Sequence, residues 1–227
     1  NGKKPKQSFS VCVPRTSYIS KAFSEFSKGL SSDIPAEIFY KETNSMRTIN
    51  NVSRCDYNLG IIRYQVTFEK YFRSLFSDKK LHAETITEFS HVLLMSANNP
   101  LADKNTIQPS DLSPYFEISH ADPYVPSMPL IDVKKAELSE NVDKHIFVFE
   151  RASQFELLES IPGSFMWVSP VPEELCKKYG LVQKECPDMG KRYKDVLIYR
   201  DEYKLTALDN QFITAVCDAK RKYIFNA

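Results

Sequence analysis

Residues with hydroxyl, amide and guanidinium groups follow two short apolar segments near the start of the chain. After the segment 9–14 they are Arg15, Thr16, Ser17 and Tyr18, and after the segment 36–40 they are Asn44 and Ser45. Each group opens an amphipathic stretch, and the free N–H groups and dipole of a helix start favour a bound anion. These residue types suit the binding of a small carboxylate. They do not by themselves supply the chemistry to break one.

The elements around these groups are predicted to bring them together. Apolar residues at 19, 22, 23, 26 and 30 have the spacing of a helix, and those at 46, 49 and 52 follow the same period. The two apolar segments before them are predicted to be neighbouring parallel strands, whose carboxyl ends lie at one edge of a sheet. Both helix starts would therefore face the same place.

Each of these residues also has an ordinary structural interpretation. Ser and Thr side chains routinely cap helices, so Ser17 and Thr16 are candidates for capping alone. The same holds for one of the pair Asn44 and Ser45. Arg15 offers a bidentate fork for a carboxylate, and a solvated surface charge is its alternative.

Five more candidate ligand contacts come later in the chain: Arg63, Tyr64, His120, Arg151 and Ser153. Arg63 and Tyr64 are predicted to follow a third strand at 59–62, although packing would also account for Tyr64. His120 follows a predicted strand in a proline-rich loop, where irregular segments often line binding sites, but a lone His is also an ordinary loop residue. Ser153 stands at a predicted helix start, so it repeats the anion-binding pattern of Ser17, with Arg151 beside it as a lesser candidate.

Composition limits the class of protein. The 227 residues, 42% of them hydrophobic, suit two lobes of roughly 100 residues each. A net charge of +1 excludes a fold-wide basic field for nucleic acid, and only six glycines argue against a glycine-rich phosphate loop. No apolar run approaches the ~20 residues that cross a bilayer, so no membrane contact is expected. Residues 1–8 resemble a linker remnant rather than a signal peptide.

Cysteine and histidine spacing speaks against catalytic and metal sites. The five cysteines are odd in number and lack CxxC spacing, which predicts buried free thiols in a reducing, cytoplasmic compartment. A reactive thiol or a metal site is the alternative. The four histidines are scattered without HxxxH or HExxH spacing, and Gly-x-Ser-x-Gly is absent. We predict no catalytic residues, no metal, no cofactor and no enzymatic activity.

Strand and helix patterns alternate through most of the chain, which predicts α/β layers with mainly parallel strands. Six prolines between positions 100 and 129 mark a change of composition in the middle of the sequence. This segment is predicted to form a second lobe inserted into the first, with two crossing strands as a hinge. The cleft between the lobes is the expected ligand site.

Several segments, in this order, resemble the effector-binding domain of LysR-type transcriptional regulators. They are the strand–Thr16-Ser17–helix opening, Glu42–Ser45, Asp56–Arg63, Leu93–Ala102, Asp111-Leu112 and Phe165–Pro170. The most specific is Asn99-Pro100-Leu101-Ala102, where the family commonly has His-Pro-Leu-Ala. Two departures are Asn99 in place of that His, and the segment 160–164 in place of a Gly-x-Gly before a strand.

The resemblance implies a two-lobed periplasmic-binding-protein-like (type 2) fold, with two Rossmann-like subdomains joined by two crossing strands. Subdomain I would hold residues 9–87 and 192–227, and subdomain II residues 88–191. The resemblance also implies a homodimer, a tetramer of the full-length protein, and DNA contact only through an N-terminal domain outside this chain.

The leading hypothesis is therefore a sensor that binds a small, anionic effector and acts by shifting populations between two arrangements. Two alternatives come from other classes of protein. A free solute receptor of a transporter shares this fold, although five unpaired cysteines speak against it. An enzyme on the same scaffold, such as a dehydratase acting on an aromatic-acid precursor, would need a cleft-facing acid or base.

Overall fold

A computed structural model describes residues 5–120, 129–187 and 191–224. Residues 1–4 of the predicted linker and residues 121–128 of the predicted loop after His120 lie outside the described ranges. The chain divides into two compact units, which we call the first unit (Asn1–Glu88 and Tyr193–Ala227) and the second unit (Phe89–Arg192). Each unit is an α/β layer structure around its own sheet.

Helices and strands alternate in both units. The first half of the chain forms β1 (Gln7–Val13), α1 (Ser17–Ser27), β2 (Ala36–Glu42), α2 (Ser45–Ser53), β3 (Leu59–Gln65), α3 (Glu69–Asp78), β4 (Leu81–Ser90) and β5 (Val92–Ser96). The remainder forms β6 (Phe116–His120), α4 (Leu130–Glu137), β7 (His145–Val148), α5 (Ala152–Ser160), β8 (Ser164–Val168), α6 (Glu173–Tyr179), β9 (Leu181–Lys184), β10 (Arg192–Arg200) and α7 (Ala207–Tyr223). Short 3-10 helices lie at Val66–Phe68 and Pro109–Leu112.

The sheet of the first unit has the strand order β2-β1-β3-β10-β4. β1 runs parallel to β2 and β3, whereas β10 is antiparallel to β3. Because strand residues alternate between faces, Phe9 and Leu197 pack under α1 and α7 on one face, while Ile62 and Val196 pack under α2 and α3 on the other. The sheet is therefore covered by helices on both sides.

The sheet of the second unit has the order β7-β6-β8-β5-β9. β6 is parallel to β7 and β8, and β5 is antiparallel to β8 and β9. Alternate residues of β5 fill two cores: Leu93 packs with Phe165, and Leu94 packs with Met166 and α5. Both sheets are thus mixed rather than mainly parallel, because β5 and β10 run against their neighbours.

The structure corrects the predicted position of Arg63 and Tyr64. They lie within β3 rather than after its end, because antiparallel pairing with β10 extends the strand to Gln65, with Arg63 opposite Asp195. Their side chains therefore point to opposite faces of the sheet. The helix α4 was not predicted from the sequence, because its eight residues are too few to show a repeating apolar spacing.

Candidate functional site

The start of α1 follows the carboxyl end of β1. Thr16 is its N-cap residue, and the Thr16 side chain makes no hydrogen bond to the N–H groups of the helix. Ser17 is the first helical residue, and Thr16 and Ser17 are only 3% and 4% exposed. Arg15 is partly exposed. The hydroxyl of Thr16 therefore does not cap α1.

Main-chain pairing brings the start of α2 to the same edge of the sheet. β1 and β2 pair in parallel along their lengths, with Val13 opposite Glu42. The N–H of Thr43 donates to the carbonyl of Val13 at 2.9 Å, so the pairing continues up to the helix. The predicted convergence of the two helix starts is confirmed.

The two polar residues at the start of α2 have structural partners. The side-chain oxygen of Asn44 accepts a hydrogen bond from the N–H of Arg47 at 2.9 Å, which makes Asn44 the helix cap. The hydroxyl of Ser45 donates to the carbonyl of Arg63 at 2.7 Å and accepts from the N–H of Arg63 at 3.1 Å. Capping thus accounts for Asn44, and Ser45 ties α2 to β3.

Arg63 makes a bidentate ion pair with a carboxylate of its own unit. Its Nε donates to Oδ1 of Asp195 and its Nη2 donates to Oδ2, both at 2.7 Å. The hydroxyl of Tyr18 donates to the same Oδ2 at 2.6 Å. Burial would lower the pKa of the Arg63 guanidinium, but the charge and hydrogen bonds of Asp195 raise it. Burial and the charge of Asp195 raise the pKa of Tyr18, so it stays a neutral donor.

Asp195 was missed as a site residue. Its side chain is 0% exposed, and it pairs with Arg63 across 132 positions of sequence. The available signal was an acidic residue beside the apolar run 196–198 of a predicted strand, since buried carboxylates are rare unless they are paired. This signal does not identify Arg63 as the partner of Asp195, because residues far apart in sequence leave no local pattern of their pairing.

Packing accounts for the two tyrosines of the candidate set. Tyr18 is fully buried in the core between β1, α1 and α7. The ring of Tyr64 is buried and stacks on the ring of Phe72 with 4.4 Å between centroids. Contact of either ring with a ligand stays a prediction.

The second unit places its three candidates on two elements. His120 ends β6 and is partly exposed, and Arg151 is the N-cap residue of α5. The N–H of Ser153 donates to both carboxylate oxygens of Glu150 at 3.1 and 3.2 Å, and a hydrogen bond from the Ser153 side chain lowers the pKa of Glu150. The start of α5 thus already faces a carboxylate of the chain itself.

A second buried carboxylate, Glu117 of β6, was also missed. It accepts a hydrogen bond from the N–H of Ser139 at 3.0 Å and lies 3.9 Å from Nδ1 of His145. The Ser139 hydroxyl accepts a hydrogen bond from the indole N–H of Trp167 at 2.9 Å. This cluster fixes the segment after α4 to the sheet of the second unit.

The two departures from the LysR-type pattern contact each other. The side-chain amide of Asn99 donates to the carbonyl of Ser164 at 3.1 Å, and its oxygen accepts from the N–H of Leu101 at 2.9 Å. The hydroxyl of Ser164 in turn donates to the carbonyl of Ile161 at 2.7 Å. Asn99 therefore holds its own loop against the segment 160–164.

Within the described ranges, no group of three or more His, Cys, Asp or Glu side chains is placed to hold a metal ion. Among the helices described, none combines the length and the apolar character that crossing a membrane requires. All five cysteines are free thiols; Cys12, Cys176 and Cys186 are buried, whereas Cys55 is exposed and Cys217 is partly exposed.

Comparison with solved structures identifies the fold. A mutant OxyR2 regulatory domain from Vibrio vulnificus, with sulfate bound, is 12% identical, with a TM-score of 0.61 over 95% of this chain and 96% of that one. The regulatory domain of MetR, a LysR family regulator from N. meningitidis, is 14% identical, with a TM-score of 0.59 over 96% and 95%. The effector binding domain of QuiR in complex with shikimate is 14% identical, with a TM-score of 0.59 over 98% and 100%.

The chain has the fold of LysR-family regulatory domains. This is the two-lobed periplasmic-binding-protein-like fold that the resemblance to LysR-type effector-binding domains implied. No family model and no curated protein matches the sequence. At 12–14% identity, the likeness to LysR-family domains concerns the fold alone.

Proposed function

We propose that the chain is the small-molecule effector-sensing domain of a LysR-type transcription regulator. The observation that carries this proposal is the likeness to LysR-family regulatory domains over 95–98% of the chain. We assign the domain no catalytic role, DNA contact to a separate domain, and the whole protein to the cytoplasm. A ligand would act by its different affinities for two arrangements of the domain, which shifts their populations.

We propose that the ligand is a small anion, a carboxylate in the first instance, and that it binds at the edge of the first sheet where α1 and α2 begin. Support comes from the helix start of α1, which carries the two hydroxyl-bearing residues Thr16 and Ser17. Helix starts of this kind favour anions. The QuiR domain was solved with shikimate and the OxyR2 domain with sulfate.

Thermal denaturation against a panel of small carboxylates, amino acids and sugars tests this proposal. One chemical class is expected to raise Tm by about 5–10 °C at a hundredfold excess over its Kd, because binding stabilises only the folded state. Replacing both residues (Thr16→Ala with Ser17→Ala) is expected to abolish the rise. The control is Ser24→Ala, an exposed hydroxyl on the same helix, which is expected to keep it.

The outcomes separate the site from the function. A rise that survives Thr16→Ala with Ser17→Ala places the ligand elsewhere, but it keeps the sensing function. No shift with any member of the panel counts against the sensing function itself. Turnover of a bound ligand would show that the chain acts as an enzyme and not as a sensor.

We further propose that the domain forms homodimers, and tetramers in the full-length protein. Phe39 lies on β2, the edge strand of the first sheet, and its side chain is 50% exposed. Phe147 lies on β7, the edge strand of the second sheet, and Phe149 follows that strand; both are exposed. Exposed aromatic residues at the free edges of sheets favour association, so we expect a second copy of the chain to cover these residues.

Sedimentation of the Phe39→Glu variant tests the dimer. A buried interfacial charge is expected to raise the dimer Kd at least about tenfold relative to the unchanged protein. The control is Ile131→Glu, an exposed apolar residue that lies on the helix α4 rather than on an edge strand, and it is expected to leave Kd unchanged. A monomeric unchanged protein, or a dimer indifferent to Phe39→Glu, would contradict the use of this edge.

A further inference from the structure

One carboxylate, that of Asp195, is linked to both helix starts of the candidate site. Its Oδ2 accepts the hydroxyl of Tyr18, which lies in the first turn of α1. Its partner Arg63 exchanges two main-chain hydrogen bonds with the hydroxyl of Ser45, the first residue of α2. The path from α1 to α2 therefore runs through Tyr18, Asp195, Arg63 and Ser45.

The central bonds of this path are strong because they are charged and buried. Asp195 is 0% exposed and the side chain of Arg63 is 14% exposed. Bidentate guanidinium–carboxylate pairs are geometrically specific, and low local polarity strengthens their hydrogen bonds. A displacement of Tyr18 or of Ser45 therefore disturbs a rigid ion pair rather than a solvated surface.

The same ion pair limits what Arg63 offers to a ligand. Both Nε and Nη2 already donate to Asp195, which neutralises the positive charge of the guanidinium at this place. A carboxylate ligand would meet the helix start of α1 rather than an unopposed guanidinium. In the proposed site, Thr16 and Ser17 would therefore contribute more to recognition of the carboxylate than Arg63.

We propose that Asp195 is a positioning residue that couples the start of α1 to the start of α2. A change at one helix start is then transmitted to the other. This inference rests on the proposed function, since the edge matters to sensing only if a ligand binds there. Asp195 itself is fully buried and acts through Tyr18 and Arg63. It lies on β10, the strand by which the chain returns from the second unit, so the coupled edge includes that strand.

Amide hydrogen exchange of the unliganded protein tests the coupling. In Tyr18→Phe, which loses only a hydroxyl of α1, exchange at residues 45–49 of α2 is expected to rise at least about threefold. The matched control is Tyr203→Phe, because the hydroxyl of Tyr203 also donates to a carboxylate, Asp209, at the start of α7 in the same unit. That variant is expected to leave exchange at residues 45–49 unchanged.

A double-mutant cycle gives a second, independent measurement. The effects of Tyr18→Phe and Ser45→Ala on the unfolding equilibrium constant are expected to deviate from multiplicative behaviour by at least about threefold. The deviation is expected to vanish when Arg63→Met and Asp195→Leu replace the ion pair. Far-UV circular dichroism follows unfolding, and fluorescence of Trp167, the single tryptophan, follows the second unit separately.

The proposal is overturned if exchange in Tyr18→Phe rises only around α1, or if the cycle is multiplicative in the unchanged background. Neither experiment contains a ligand, so the result does not depend on the proposed function. If the coupling is observed but no member of the ligand panel raises Tm, the result counts against sensing and keeps the positioning role. A ligand-dependent Tm rise without coupling would do the reverse.

Discussion

Replacing Arg63 by methionine is expected to lower the free energy of unfolding by about 3–5 kcal/mol, because it leaves a buried carboxylate without its counter-ion. Asp195 has no exposed surface through which water could solvate its charge, and only the Tyr18 hydroxyl would remain as a hydrogen-bond donor among the contacts described above. Urea denaturation followed by far-UV circular dichroism measures the change.

Two companion variants separate charge burial from loss of packing. The double variant Arg63→Met with Asp195→Leu removes both charges and is expected to recover most of the loss, since apolar replacements of buried ion pairs are often neutral. Lys104→Met removes one partner of a more exposed pair, Lys104–Asp111, and is expected to leave the free energy of unfolding close to that of the unchanged protein. An Arg63→Met protein as stable as Lys104→Met would show that the buried pair is not a major stabilising contact.

Replacing Phe212 by alanine is expected to cost about 3–5 kcal/mol, because it removes a buried aromatic ring and leaves a cavity. Phe212 of α7 is 0% exposed, and its ring centroid lies 5.1 Å from that of Phe9 in β1 and 5.7 Å from that of Phe26 in α1. It therefore packs the last helix of the chain onto the first strand and first helix. Urea denaturation of the variant measures this contribution.

The control for Phe212 is a phenylalanine of equal size that contributes little burial. Phe149 is 70% exposed in a single copy of the chain, so Phe149→Ala, measured at protein concentrations at which the chain is monomeric, is expected to change the unfolding free energy by no more than about 0.5 kcal/mol. A Phe212→Ala protein within about 1 kcal/mol of the unchanged one would mean that α7 contributes little to the first unit, well below the usual cost of a buried Phe.

Local periodicity accounts for how much of the fold could be predicted. The apolar spacing after position 18 predicted α1, and Ile19, Ala22 and Phe26 are its buried face. Leu30, predicted on the same face, lies beyond the helix end at Ser27. Helix ends depend on the local turn more than on the apolar period, so the element was predicted better than its boundary.

The candidate site divides in the same way. The hydroxyls of Thr16 and Ser17 at a helix start, and the cap at Asn44 or Ser45, follow from residue type and position in a helix. The partner of Arg63 does not, because the ion pair depends on β10 returning beside β3 after the whole second unit. Which of two neighbouring polar residues caps a helix is likewise decided by the hydrogen bonds that each can reach.

By itself, the sequence determined the α/β class, most elements, the two helix starts and their common sheet edge, because these depend on residue periodicity and on the polarity of parallel strands. Only the tertiary structure decided that Arg63 lies inside a strand, that Asp195 neutralises it, and that Glu150 faces the start of α5. Burial and charge pairing depend on which segments meet in space. The local sequence around two distant residues does not indicate that they will be in contact.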